Sequence, residues 1–152
     1  MATNERIIKA TPQDVWDVLS DGWLYPLWVV GASRMREVDE DWPRPGARLH
    51  HSVGTWPLLI DDVTEVVDVA PGASLTLRAK ARPGGTAEVT IRTEAAGAET
   101  RVVIEEDVVA GPSRLIPKLL RDVPLTWRNV ESLRRLAYVA ERRAARSSEP
   151  HD

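Results

Sequence analysis

Three kinds of side chain in this sequence could do chemistry in an apolar setting: a strand histidine, two strand carboxylates and a set of tryptophans. His51 alternates in phase with Leu49 and Val53, which predicts an inward imidazole and turns adjacent His50 outward. Two neighbouring histidines facing opposite ways cannot hold one metal ion. An inward His51 can serve as an acid or base, or as a hydrogen-bonded polar residue at a cavity edge. Glu106 is in phase with Val102, Ile104 and Val108, and Glu65 shares the parity of Val63, Val67 and Val69. Both are predicted to point inward, where a carboxylate is costly unless paired, hydrogen-bonded or protonated. The plainer alternative is an ion pair or a solvated cavity mouth. His51 and Glu106 are the catalytic candidates.

The aromatic set is six Trp and two Tyr with no Phe. Trp16 and Trp127 fall on apolar helical stripes, which predicts core positions. Trp28 lies just beyond the first helix, and Trp56 precedes Pro57 at a strand break, where it could line or lid a pocket. Trp42, between Asp41 and Pro43, reads as a turn residue. A flat ligand could stack on any inward indole. The candidate ligand-binding residues are therefore Trp28, His51, Trp56, Glu65, Glu106 and Trp127.

Several chemistries are absent from the sequence. There is no Cys, which excludes disulfides, thiolate zinc sites, iron–sulfur clusters and cysteine nucleophiles. Gly31-Ala32-Ser33-Arg34-Met35 lacks the closing Gly of a nucleophile elbow. No Gly-rich phosphate or dinucleotide loop occurs, and no His/Asp/Glu cluster has metal-ligand spacing. Neither a cofactor nor a metal is expected. Proton transfer and pure binding remain.

The positioning elements follow from pattern. Residues 4–10 read as a strand. Thr11-Pro12-Gln13-Asp14 then starts a helix, with Thr11 as N-cap, Pro12 in the first turn and Asp14 near the positive end of the dipole. Ser20-Asp21-Gly22 stops it, and a short Trp-rich segment, 23–31, follows. From 32 to 111, alternating strands are separated by Pro43-Arg44-Pro45-Gly46, Ala70-Pro71-Gly72, Pro83-Gly84-Gly85 and Ala96-Gly97-Ala98, the mark of an antiparallel meander. Beyond Gly111, Ile116, Leu119, Leu120, Val123, Trp127, Val130, Leu133, Ala137 and Ala140 recur at helical spacing as one predicted buried stripe. Pro124 predicts a kink or break within it.

Length and charge complete the reading. The chain has 152 residues and a net charge of −3. Residues 1–111 hold 11 basic against 18 acidic side chains, and 112–152 hold 9 against 5. The basic excess sits on the last helix, as a solvated face or a partner surface. With an acidic chain overall and no basic-aromatic motif, no nucleic-acid partner is expected. No apolar run approaches the roughly 18 residues of a membrane span, so no integral membrane segment is expected and the setting reads as cytoplasmic. The 17 Arg against 3 Lys suggest a GC-rich bacterial genome. Residues 1–145 form one expected domain, with 146–152 a polar tail.

Two motifs carry a family resemblance. Ile8-Lys9-Ala10-Thr11-Pro12-Gln13-Asp14-Val15-Trp16-Asp17-Val18-Leu19-Ser20-Asp21, and then Tyr25-Pro26-Leu27-Trp28-Val29, resemble the opening of the SRPBCC superfamily. These START-like helix-grip proteins include polyketide cyclase/dehydrase-like and lipid-transfer members. The resemblance spans residues 4 to 143. It implies an α+β fold: a curved antiparallel sheet of six or seven strands around a long C-terminal helix, two short helices after the first strand, and a cavity between. The expected function is binding, with transport as a further step, of a small hydrophobic ligand such as a lipid, isoprenoid or polyketide. The alternatives are a polyketide cyclase/aromatase-like enzyme and a protein-interaction module using the basic helix. Oligomeric state stays open.

Overall fold

The chain order of apolar alternation and turn residues is realised as β1 (Ala2–Ile8), α1 (Pro12–Leu19), α2 (Tyr25–Trp28), β2 (Ala32–Val38), β3 (Arg48–Val53), β4 (Ile60–Ala70), β5 (Ser74–Lys80), β6 (Thr86–Ala96), β7 (Glu99–Ala110) and α3 (Lys118–Ser148). Short 3-10 turns precede α2 and α3. The computed structural model describes residues 2–53, 57, 60–80 and 85–149. The strands form one antiparallel sheet in the order β1-β7-β6-β5-β4-β3-β2. Only β1 leaves sequence order, crossing to pair with β7. This is the α+β helix-grip architecture that the sequence implied.

The first helix is built as its sequence dictates. Thr11 Oγ1 accepts from Asp14 N at 3.2 Å, and Asp14 Oδ2 accepts from Thr11 N at 3.1 Å. That reciprocal capping box satisfies two otherwise orphaned donors. Val15, Val18 and Leu19 are buried beneath it. Thr100 Oγ1 on β7 donates to Ala10 O at 2.8 Å, tying the strand-to-helix turn to the sheet. The core joins these residues to Ile8, Leu49, Leu75, Ile91, Ile104, Leu133 and Leu136.

Two sequence expectations fail for identifiable reasons. Glu65 does not point inward. The β4–β5 register shifts between Val66 and Asp68, so that Val66 and Val69 both face the core and Val63, Glu65 and Val67 face outward. Parity counted back from Val69 across that bulge assigns the wrong face. Glu65 instead pairs with Arg48 at 3.5 Å on the outer face.

The second failure concerns α3. Of the kink or break expected at Pro124, the break does not occur: the helix is continuous from Lys118 to Ser148. Its buried residues are Asn129, Ser132, Leu133, Leu136, Ala137 and Ala140, packed towards β1, β7, α1 and α2. The earlier part of the stripe is exposed: Leu119 is 78% and Trp127 68% accessible. At 3.6 residues per turn the two faces lie about 120° apart around the axis, and Leu133 and Ala137 bridge the drift between them. Trp127 is therefore a surface residue rather than core. Trp42 does more than turn the chain: its Nε1 donates to Leu19 O at 3.4 Å, and its ring packs against the core.

Candidate functional site

Between the sheet and the helices lie two adjoining chambers, each of about 70 Å³. Tyr25, Val29, Ala79, Lys80 and Arg128 line both. The first is apolar over most of its wall, with Trp28, Leu77, Val89, Ile91 and Ile104, and carries Glu106, Asn129 and Ser132 as its polar groups. The second holds His51, Asp62 and Thr64. Neither chamber reaches the roughly 300 Å³ at which ligand pockets begin.

Glu106 is the acidic side chain of the first chamber, which the cations Lys80 and Arg128 also line. It sits on β7 with Ile104 and Val108 on the same inward face, and only 1% of it is exposed. Arg128 Nη2, from α3, donates to its Oε1. Its Oε2 is buried, and so is Asn129 Nδ2. Burial pushes the Glu106 carboxyl above the usual carboxylate range, partly opposed by Arg128 and Asn129. A desolvated carboxylate oxygen and a desolvated amide thus sit side by side, near enough for Asn129 to stabilise the Glu106 carboxylate but without a well-formed hydrogen bond at either atom. A ligand group able both to donate and to accept would satisfy both.

The second chamber is a hydrogen-bonded chain. His51 Nε2 lies 2.8 Å from Thr64 Oγ1, which lies 3.4 Å from Tyr25 Oη. The tyrosine ring packs edge-on to Trp28, centroids 5.5 Å apart, and tilted against His51 at 5.4 Å. Burial lowers the His51 pKa below its ordinary value, opposed first by Asp62, so at neutral pH the ring is uncharged. Burial also raises the Tyr25 phenol, keeping it protonated. Arg36 Nη2 donates to the backbone oxygens of Asp62 and His51 at 3.2 and 3.5 Å, tying β2 to β3 and β4.

Of the sequence candidates, the structure brings Trp28 and Glu106 to one chamber and His51 to its neighbour. Glu65 and Trp127 lie outside, and Trp56 falls outside the described residues. His50 turns from the cavity and meets Asp39 at 3.2 Å. Sequence reasoning passed over Tyr25, Arg128, Asn129 and Ser132. A signal for the last two existed. Asn129 and Ser132 are spaced at i, i+3 on the face that Leu133, Leu136 and Ala140 continue, a polar interruption of an apolar stripe that a cavity explains. The larger stripe through Trp127 concealed it. Among the described residues no group of three or more His, Asp or Glu side chains could hold a metal ion.

The profile of a family described as polyketide cyclase/dehydrase and lipid transport matches residues 2–141. The chain belongs to this family. Its membership places the chain in the SRPBCC helix-grip superfamily. Solved structures agree on the fold. The Zhui aromatase/cyclase from Streptomyces sp. R1128 is similar with a TM-score of 0.74 and 18% identity, covering 98% of each chain. A protein from Nitrosomonas europaea gives 0.73 and 17%, covering 94% of this chain and 95% of that one. The di-domain aromatase/cyclase of the steffimycin pathway gives 0.71 and 15%, covering 94% of this chain and 51% of that one. No match was found among curated proteins. Among the described residues no helix is long and apolar enough to cross a membrane.

Proposed function

We propose that this family member binds a small molecule with an apolar body and a hydrogen-bonding end, of lipid, isoprenoid or polyketide type, in a cytoplasmic setting. The body occupies the wall formed by Trp28, Leu77, Val89 and Ile104, and the polar end meets Glu106 and Asn129. The observation that carries this reading is the loosely made pair of Glu106 and Asn129 on the chamber wall, in which Asn129 stabilises the carboxylate while Glu106 Oε2 and Asn129 Nδ2 each lack a well-formed hydrogen bond. A buried donor and acceptor held short of a good hydrogen bond cost stability, and a ligand group that bridges them recovers part of that cost. The chambers hold about 70 Å³ each, so even joined they fall short of a ligand pocket, and binding requires the space between the sheet and the helices to widen. Release of the bound molecule to an acceptor would make the protein a carrier.

The cyclase-like alternative draws support from one feature. A carboxyl whose pKa is raised by burial can give a proton to a ligand carbonyl and retake it, promoting enolisation or dehydration. In that reading Glu106 is the acid/base, and Arg128 positions it.

Native mass spectrometry of protein purified without denaturation tests the binding reading. The expected spectrum shows an apolar adduct on the wild type that is lost in the Asn129→Leu variant. A bare apo mass, together with no uptake from a total lipid extract, would contradict it. Turnover of an aromatic-forming poly-ketone, abolished by Glu106→Gln, would establish the enzyme instead.

A further inference from the structure

An open groove of about 520 Å³ runs beside the last turns of α3, where they pass α2 and the 3-10 turn before it. That volume falls within the roughly 300–1,000 Å³ of small-molecule sites, which neither inner chamber reaches. Leu24, Leu27, Tyr138 and Val139 give the groove its apolar floor. Its charged lining is Arg142, Arg143 and Arg146, with no acidic side chain among the lining residues. Val139 and the three arginines recur at i, i+3, i+4 and i+7, the spacing of one helix side. They belong to the basic excess of the last helix, which the inner chambers do not use.

The three guanidinium groups are not equally engaged. Arg143 Nε lies 3.7 Å from Asp17 Oδ2, which offsets its charge. Arg146, in the last turn, meets the negative end of the helix dipole, equivalent to about half a charge. Arg142 has no carboxylate partner among the described residues. It lies over the Tyr138 ring at 5.4 Å, and its Nη1 donates to Tyr138 Oη at 2.7 Å. The phenol thereby positions the guanidinium without cancelling its charge. The Nε–Nη2 edge of Arg142 remains as a two-donor fork of the shape that a carboxylate accepts. About one unit of positive charge is left over beside an apolar floor.

We propose that this groove binds a single-chain amphiphile with a carboxylate head. The head takes the Arg142 fork, and the chain lies along Leu27 and Val139. A carboxylate matches both the fork and the one uncompensated charge, whereas a phosphate monoester brings close to two negative charges. An uncharged or cationic head would leave Arg142 unpaired. None of the residues lining the groove lines either inner chamber, so the inference holds whatever the cavity takes.

The test is an NMR titration of isotope-labelled protein with octanoate. Saturable shifts are expected at the Leu27 and Val139 methyls, the Tyr138 ring and the Arg142 Nε–H. Added salt should weaken the binding. Octanol, with the same chain and no charge, should bind about fivefold more weakly or worse, and Arg142→Gln should cost octanoate about fivefold. Octyl phosphate should bind no more tightly than octanoate. Leu27→Asn should weaken octanoate and octanol alike, since it removes chain contact and not charge. Leu27 and Arg142 are exposed, so the remaining amide spectrum of each variant should match the wild type. Asn129→Leu, which alters only the inner chamber, should leave the octanoate shifts unchanged. Absence of saturation at the groove, or equal affinity for octanol, would overturn the proposal. Tighter binding of octyl phosphate would overturn the carboxylate assignment. Octanoate shifts confined to Trp28, Tyr25 and Asn129 would refute the groove while supporting the cavity, so the two readings fail separately.

Discussion

Arg128, 39% exposed, holds the carboxylate of Glu106, which is 1% exposed. One partner is wet and the other is dry. The pair therefore cannot be treated as a surface salt bridge of negligible worth, nor as a fully buried one. Its arrangement lets the cation reach solvent while the anion stays fixed in the chamber. Several outcomes follow from that asymmetry and from the packing around it.

Removing the cation leaves a buried charge with little compensation. Arg128→Ala should destabilise the free protein by about 1–3 kcal/mol, discounted for the exposure of the arginine. Glu106→Gln in the same background should restore most of the loss, because no charge then remains to be solvated. Urea denaturation of the single and double variants measures both. Additive losses would show that the two side chains are energetically independent.

The sign of the Glu106 shift sets a pH dependence. A carboxyl raised in the folded state binds more protons there than in the unfolded chain. Its stabilising contribution is full below the ordinary carboxylate value and is lost as pH rises through the folded pKa. Glu106→Gln should therefore gain stability relative to wild type as pH rises from about 4 to 8. Unfolding free energies for the two proteins across that range should diverge with increasing pH. Parallel curves would place the Glu106 pKa at its unfolded value.

His51 works in the opposite sense. Its folded pKa is lowered by burial, so the unfolded chain takes the proton first. Stability is full above the ordinary histidine value near 6.5 and falls as pH drops below it towards the folded pKa. His51→Gln, which can keep a bond to Thr64, should remove that part of the acid slope. Imidazole proton shifts followed by NMR give the folded pKa directly, and a value at or above 6.5 would refute the assignment.

Gly22 is required by close packing rather than by backbone angle. A Cβ there would lie 2.5 Å from Leu49 Cδ2 and 2.7 Å from Val38 Cγ1. Gly22→Ala should cost about 1–3 kcal/mol through overpacking, lowering the melting temperature by roughly 2–4 °C for each of them. Thermal denaturation by circular dichroism reads this, and an unchanged melting temperature would mean that β2 and β3 yield to the extra methyl.

How far the sequence foretold this molecule depended on whether local rules were interrupted. Thr11, Pro12 and Asp14 specify a helix start by contacts within four residues, and the cap forms as they dictate. The meander was legible because Leu75, Leu77, Val89, Ile91, Val102 and Ile104 alternate without a bulge. Glu65 was misplaced because one inserted residue, Val67, reverses parity and leaves no composition signal. Trp127 was misplaced because a stripe with a spacing close to the helical period drifts around the axis, and nothing local marks where its outer part stops being covered. Glu106 could be assigned to the inward face from strand phase. Its partners come from a helix more than 20 residues away: Asn129 left a trace as a polar interruption of the α3 stripe, whereas Arg128 is brought there by the docking of α3, which no local pattern encodes.

The measurement that bears most directly on the cavity reading is an NMR titration of isotope-labelled protein with 2-naphthol, a flat apolar body carrying one hydroxyl. Saturable shifts are expected at the Asn129 side-chain amide, the Trp28 indole N–H and the Tyr25 ring, with affinity reduced about tenfold in Asn129→Leu. Saturable shifts confined to the exposed stripe of α3, or none at these three side chains up to the solubility limit, would contradict that reading.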